Sequence, residues 1–153
     1  MLQRGKDPLI SLIEDNRAEL EGRIVAAELR AYIADGSANP ELKASTAAHV
    51  SEGLSFVVRW TETASMDDSH AFFAGMLGRS LAQGISPAQV IQLVDLVTGE
   101  IITLAREKLR GMILSGVVQR LETGAAVGKA VVAREIAKDQ HNGSVRDQAR
   151  AAR

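Results

Sequence analysis

Each of the three prolines in this chain directly follows a residue that commonly caps the start of a helix. The pairs are Asp7-Pro8, Asn39-Pro40 and Ser86-Pro87. Proline is tolerated at the first helical position because its missing N–H has no intrahelical partner there, whereas it breaks a helix further inside. Ser86 also begins a capping box, since the Gln89 side chain can reach back to the Ser86 N–H. The prolines therefore predict three helix starts.

A fourth helix start and two helix ends are marked by acidic residues and by glycines. Asp67 or Asp68 is placed to cap a helix that runs into Phe72. Asp35-Gly36-Ser37 and Gly84 follow apolar runs, where glycine commonly ends a helix. With these marks, helices are predicted over residues 8–15, 16–34, 40–64, 68–83, 87–113 and 115–140.

Apolar residues between these marks recur with the spacing of an α-helix. The clearest series is Val90, Val94, Val97, Ile101 and Leu104, and similar series begin at Leu20 and Val50. The β-branched residues would suit a strand, but polar residues at 92, 95, 98, 100 and 103 would not fit a buried one. No segment alternates apolar and polar residues over the length of a strand. The sequence therefore predicts an all-α bundle of five or six helices with a long C-terminal helix.

The composition limits both the domain organisation and the partners. A chain of 153 residues, 46% of them hydrophobic, is expected to form one domain with a single core. We assign residues 1–140 to this helical domain and 141–153 to a polar tail or linker. A net charge of −1 does not favour binding to nucleic acid or to an anionic membrane. The absence of cysteine excludes disulfides, zinc fingers and iron–sulfur clusters.

No segment of the sequence is typical of a membrane span or a signal peptide. The most apolar stretch, residues 90–105, is interrupted by Gln92, Asp95 and Glu100, whereas a span needs about 20 apolar residues. The N-terminus lacks the apolar run of a signal peptide. We therefore expect a cytoplasmic protein that has no membrane partner.

The sequence carries no catalytic motif, and its histidines offer only an alternative function. Nucleophile-elbow, phosphate-loop and dinucleotide-binding patterns are missing, so we expect neither an enzyme nor a cofactor. His70 follows two aspartates, but acids in a first helical turn are typical of dipole stabilisation, and no metal site is predicted. His49, followed by Gly53, resembles the centre of a histidine phosphotransfer domain, although Glu52 stands where that family usually has a lysine. A phosphotransfer role of His49 is kept as an alternative.

Two groups of apolar and small residues are candidates for binding. Phe56, Trp60 and Phe72 are expected in the core, or around an apolar pocket where two helices meet. A pocket there would suit a protein that binds a small molecule or haem, which is the second alternative. Small residues dominate the last helical segment, and each interior glycine costs a helix up to ~1 kcal/mol. Close approach of another helix would compensate. The residues predicted for self-association are Val117, Leu121, Gly124, Val127 and Gly128.

The segment from Leu77 to Ile91 resembles the middle of the RsbR/RsbRD N-terminal domain family. The shared pattern is an arginine on one helix, here Arg79, then a short break at residues 84–86, and then a long apolar helix. The opening, residues 12–20, and the position of Trp60 near the end of the third long helix are similar to that family as well. The resemblance covers about residues 8–115.

This resemblance implies a dimeric, globin-like domain without haem, placed at the N-terminus of stressosome or related signalling proteins. The final helix of such a domain leads to an output domain, often a STAS domain. The residues expected to form its structural turn are Arg79, Gln83, Gly84 and Ser86. We therefore expect a non-enzymatic sensory domain that forms a homodimer and passes a conformational change through its C-terminal helix to an output domain or partner protein.

Overall fold

In the computed structural model, which describes residues 5–34 and 40–152, six helices follow one another along the chain. They are α1 (Pro8–Asp15), α2 (Arg17–Ala34), α3 (Pro40–Thr63), α4 (Met66–Ala82), α5 (Pro87–Lys108) and α6 (Gly111–Ala151). The described residues contain no strand. The all-α class and the long C-terminal helix are therefore confirmed.

Two of the predicted helix starts have the expected hydrogen bonds. The Asp7 side chain accepts a hydrogen bond from the N–H of Leu9 at 2.9 Å and so caps α1. At α5, the N–H of Gln89 donates to Ser86 Oγ at 3.2 Å, and the N–H of Ser86 donates to Gln89 Oε1 at 2.8 Å. These reciprocal bonds are a complete capping box. The predicted cap at Asn39 and the predicted stop at residues 35–37 lie outside the described residues.

The predicted cap of α4 is wrong by two or three residues. Ser65 caps this helix, because its hydroxyl accepts a hydrogen bond from the N–H of Asp68 at 3.1 Å. Asp67 and Asp68 instead occupy the first turn, where negative side chains stabilise the positive end of the helix dipole. A serine one residue before the helix therefore takes the capping role that we expected from the acids.

The predicted end of α4 at Gly84 is confirmed. Gly84 has a φ of 81°, in the left-handed region that glycine adopts without steric cost. The N–H of Ile85 donates to the carbonyl of Ser80 at 2.9 Å, and the N–H of Gly84 donates to the carbonyl of Leu81 at 3.1 Å. This pair of bonds is a Schellman motif, which satisfies the last carbonyls of the helix.

The last two helices differ from the predicted ones at three boundaries. α5 ends at Lys108 and α6 begins at Gly111, because Leu109 and Arg110 are extended and Gly111 has a positive φ. At its other end, α6 continues to Ala151, through the segment predicted to be a polar tail. Alanine, glutamine and arginine, which recur in this segment, favour a helix by propensity, although a segment of this length without a core is only marginally stable on its own.

Buried side chains form two clusters, one toward each end of the bundle. The first joins α1 to parts of α2, α3, α5 and α6, and the second joins α4 to the remaining parts of α2, α3, α5 and α6. The first cluster contains Leu9, Leu12, Ile13, Leu20, Ile24, Val50, Leu54, Ile101, Leu104, Ala105, Val117 and Leu121. The second contains Tyr32, Phe56, Phe73, Leu77, Ile85, Val90, Val94, Ala125, Val131 and Val132.

Helix α5 supplies residues to both clusters. Its buried residues are Val90, Val94, Ile101, Leu104 and Ala105. By length and composition it is the single helix in the described part of the chain that could cross a membrane. In the bundle it packs most extensively against α6 and also against α2.

Candidate functional site

A cavity of about 110 Å³ lies where the two clusters meet. All five aromatic residues of the chain line it, so we call it the aromatic cavity. They are Tyr32, Phe56, Trp60, Phe72 and Phe73. The rings of Phe56 and Phe72 are stacked, with centroids 4.2 Å apart, and Phe73 meets both rings edge-on. The three residues from which a pocket was predicted therefore line the same cavity.

Glycines of α6 let two of these rings approach the helix backbone. A Cβ atom at Gly124 would lie 3.1 Å from Trp60 Nε1, and one at Gly128 would lie 2.6 Å from Cε1 and from Cε2 of Phe73. The close approach that the glycine spacing suggested is thus made within this chain, between α6 and the aromatic residues of α3 and α4. The helix-propensity cost of each glycine is offset by this packing.

The structure places the residues predicted for self-association in several different surroundings. Val117 and Leu121 belong to the first core cluster, with 0% and 6% of their surface exposed. Gly124 and Gly128 face Trp60 and Phe73, and Val127 is half-buried. A second chain could not reach Val117 or Leu121 while this core is intact, so the accessible face of α6 consists of other residues.

The carboxyl group of Glu28 is the most unusual polar group on the cavity wall. Glu28 is only 6% exposed, and its carboxylate has no hydrogen bond or ion pair with any residue in the described ranges. Burial raises its pKa from 4.5 to about 7, because the charged form loses its hydration. One turn further along α2, Tyr32 is 4% exposed, and burial together with the charge of Glu28 raises the pKa of its hydroxyl.

Two further ionisable residues line the cavity. Burial and the nearby charge of Arg79 lower the pKa of His49, which keeps its imidazole neutral near pH 7. The Arg120 guanidinium is held by Asp7, with Nη2 2.9 Å from Oδ1 and Nη1 bonded to Oδ2. Arg120 lowers the pKa of the Asp7 carboxyl in return. The positive charge beside the cavity is therefore already paired.

Sequence analysis missed Glu28 and Tyr32, although a signal for both was present. They continue the apolar series of α2 at intervals of four, as Leu20, Ile24, Glu28 and Tyr32. A carboxylate at a position that the helical repeat assigns to the core indicates either a buried partner or a cavity. The apolar series predicted to begin at Leu20 runs through Ile24, Ala27 and Ala31, so it passes one residue before Glu28 and one before Tyr32.

The residues predicted to form the structural turn lie together at the end of α4. Gln83 is the C-cap, and its side-chain amide donates to Ser45 Oγ on α3 at 2.9 Å. Arg79 forms an exposed ion pair with Glu52 at 3.4 Å. Gly84 and Ser86 supply the positive φ and the next helix cap that were described above.

The remaining histidine interactions are those of surface residues. His70 Nε2 lies 3.0 Å from Glu135 Oε1 and so connects α4 to α6. Asp68, which precedes it, pairs with Arg59 at 3.2 Å. No group of three His, Cys, Asp or Glu side chains within the described residues could hold a metal ion.

No family model, curated protein or solved structure matches this chain. The resemblance to the RsbR/RsbRD N-terminal domain and the globin-like arrangement of helices therefore stay predictions. The function has to be argued from the cavity and from the helices that surround it.

Proposed function

We propose that this chain is a non-enzymatic sensory domain in which occupancy of the aromatic cavity is passed through α6 to an output domain or partner protein. The observation that carries this proposal is that one part of α6 lines the cavity while another part extends away from the bundle core. Its residues Arg120, Leu121, Gly124 and Ala125 line the cavity, and the same helix continues without interruption to Ala151. At 1.5 Å per residue the helix extends about 40 Å beyond Ala125, so a small displacement at the cavity wall moves its distal end.

The distal part of α6 has the exposure expected of an output element. Every described side chain from Ala137 to Ala151 is exposed. A helix of about 15 residues without core contacts is only marginally stable in water. Packing against another helix would stabilise this segment, and a homodimer or an attached output domain would supply that helix.

A row of exposed alanines on α6 favours a homodimer over other arrangements. Ala126, Ala130, Ala133 and Ala137 are all exposed and follow one another at intervals of four, three and four residues. Such spacing places them on one face of the helix, where their small side chains allow a second α6 to approach closely. In this arrangement the dimer uses the face of α6 opposite to the one that Val117, Leu121 and Gly128 present to the core.

We expect sedimentation velocity at micromolar concentration to show a dimer, and the Ala133→Glu variant to be monomeric. Two glutamates brought together at the centre of the interface would repel each other and would have to lose their hydration. A matched control is Ala47→Glu, which makes the same change at an exposed position of α3 and so leaves the alanine row of α6 intact. A wild-type monomer, or a dimer that tolerates Ala133→Glu, would contradict this part of the proposal.

The transmission step can be tested by distance measurements between spin labels. The chain contains no cysteine, so Glu62→Cys on α3 and Gln148→Cys on α6 create unique labelling sites at exposed positions. Toluene serves as an apolar probe of the cavity, with its binding verified by calorimetry. We expect saturation with toluene to change the distance between the labels by about 1–2 Å or more, the size of helix shifts in known switches.

A control pair, Ala18→Cys with Glu62→Cys, reports on α2 and α3 alone and is expected to give the same distance with and without toluene.

The Val97→Phe variant places a ring at the cavity wall and should produce part of the α6 displacement without any probe. Unchanged α6 distances at verified saturation, or failure of toluene to bind at all, would contradict the proposed sensory role.

A further inference from the structure

The chemistry of the cavity wall identifies the class of molecule that it takes, an inference that rests on the proposed sensory function. We propose that the aromatic cavity binds a small organic amine in its protonated form, with the ammonium group on the Glu28 carboxylate and the apolar body against the aromatic rings. The ligand is thus defined by one positive charge and one small apolar group.

The first argument is the missing partner of Glu28. Glutamate is almost never buried to this extent without a cation or hydrogen-bond donors around it, because an unpaired charge in an apolar environment is very costly. Glu28 is 94% buried and lines the cavity, yet no donor in the described part of the chain reaches its carboxylate. A ligand that carries an N–H donor would supply the interaction that the protein itself does not provide.

The second argument is the charge balance of the cavity wall. The other ionisable residues that line it are Tyr32 on α2, His49 on α3 and Arg120 on α6. Tyr32 and His49 are neutral near pH 7, since the pKa of the first is raised and that of the second is lowered. Arg120 is neutralised by its two hydrogen bonds to Asp7. One acid is left without a counter-charge, which suits a cation and opposes a carboxylate or phosphate ligand.

The third argument is the concentration of aromatic rings. All five aromatic residues of the chain line this single cavity, and they include Trp60, the ring type that attracts cations most strongly. A cation within about 6 Å of a ring centre is stabilised by the negative face of the ring, and the effect is larger where water is excluded. Carboxylate and rings together therefore recognise both the charge and the apolar part of an amine.

The size of the cavity limits the apolar part to about one ring. Its volume of about 110 Å³ is somewhat smaller than the ~150 Å³ of an engineered apolar cavity that takes up benzene. A ring with a short amino-bearing arm is larger than benzene, so its binding requires side chains on the cavity wall to move outward. Benzylamine, which has both features, is therefore a suitable probe.

The test is isothermal titration calorimetry on the full chain at pH 8 with benzylamine, benzyl alcohol and benzoate, in the wild type and in Glu28→Gln. These three probes share a ring and differ in charge. We expect benzylamine to bind at least about tenfold more tightly than benzyl alcohol, as hydrogen bonds to charged groups allow, and benzoate not to bind. Glu28→Gln keeps the side-chain size and should lower benzylamine affinity at least about tenfold while leaving benzyl alcohol affinity within about twofold.

Two controls separate the role of Glu28 from general electrostatics. Glu122→Gln removes an exposed carboxylate of α6 and is expected to leave benzylamine affinity unchanged. Raising the salt concentration should likewise have little effect, because buried charge pairs are screened much less than exposed ones.

Equal affinity for benzylamine and benzyl alcohol, or an amine preference that survives Glu28→Gln, would overturn the amine proposal. Absence of benzylamine binding would overturn it as well. None of these results depends on whether α6 moves when the cavity is occupied. The sensory role is therefore tested separately, by the binding of toluene and the resulting displacement of α6.

Discussion

Replacing Glu28 with glutamine is expected to raise the free energy of unfolding at pH 8 by about 3 kcal/mol. In the wild type this free energy is expected to decrease between pH 4.5 and pH 7, and the substitution should remove most of that decrease. The carboxyl group titrates near pH 4.5 in the unfolded chain and at about 7 in the folded protein, because burial disfavours its charged form. Between these values the folded protein holds a proton that the unfolded chain has released. The free energy of unfolding therefore falls as the pH rises through this range.

Other groups near the cavity contribute to the pH dependence with the opposite sign. The pKa of His49 is lowered from 6.5, so its contribution makes the fold more stable as the pH rises toward that value. The pKa of Asp7 is lowered from 3.8 by Arg120, and its contribution is lost only in stronger acid. The difference between the Glu28→Gln and wild-type curves removes these shared contributions and isolates the titration of Glu28.

Urea denaturation followed by helical circular dichroism at several pH values from 4.5 to 8.5 provides this comparison. The two curves should converge as the pH falls toward and below 4.5, where Glu28 becomes protonated in the unfolded chain as well as in the folded one, and should separate progressively up to pH 7. Glu122→Gln, on the exposed face of α6, is the control and should track the wild type. Parallel curves for wild type and Glu28→Gln would show that the Glu28 carboxyl titrates normally.

The higher free energy of unfolding expected for Glu28→Gln raises the question of why this position holds a buried glutamate. A residue whose ionised form weakens the fold by about 3 kcal/mol is not explained by stability, since native domains are stable by only 5–15 kcal/mol. Strained or unfavourable groups of this kind are typical of binding sites, where a ligand supplies the missing interaction. An amine bound to Glu28 would restore the stability that the empty cavity lacks.

Local signals in the sequence were sufficient to predict most of the fold. Asp7, Ser86 and Gly84 act through hydrogen bonds to residues within six positions, so the residues themselves carry the information. The apolar series of α5 is likewise a property of one helix. Errors arose where two signals competed, as at α4, where Ser65 and Asp67 are both good caps, and at α6, where helix propensity outweighed the lack of apolar residues.

The candidate site was predicted less completely, because it depends on contacts between distant segments. Phe56, Trp60 and Phe72 were singled out as aromatic residues on two successive helices. Glu28 and Tyr32 lie on α2, about 25 to 45 residues earlier, and nothing in the local pattern indicates which helix they face. Likewise, the spacing of Gly124 and Gly128 indicated a close helix approach but could not distinguish a partner within the chain from one in a second copy.

The second large effect is expected at Gly128, where Gly128→Ala should lower the free energy of unfolding by about 2 kcal/mol. The added Cβ would lie 2.6 Å from Cε1 and from Cε2 of Phe73, a ring that is only 6% exposed and cannot move freely. Overpacking of a core typically costs about 1–3 kcal/mol, and it outweighs the gain of up to about 1 kcal/mol from the higher helix propensity of alanine.

Gly116→Ala is the matched control on the same helix. No atom outside the local backbone lies within 4 Å of a Cβ at this position, so only the propensity gain remains and the variant should be more stable by up to about 1 kcal/mol. Urea denaturation of both variants measures the difference. A Gly128→Ala variant as stable as Gly116→Ala would show that Phe73 does not contact α6.

The double variant Gly128→Ala/Phe73→Leu connects this contact to the cavity. Leucine lacks the ring atoms that meet the new methyl group, so the double variant should be more stable than the sum of the two single changes implies. In Gly128→Ala alone, the Phe73 ring must move away from α6, and the space beside it is the aromatic cavity that it lines. The same substitution should therefore weaken toluene binding, and a variant with normal affinity would indicate that the ring moves elsewhere.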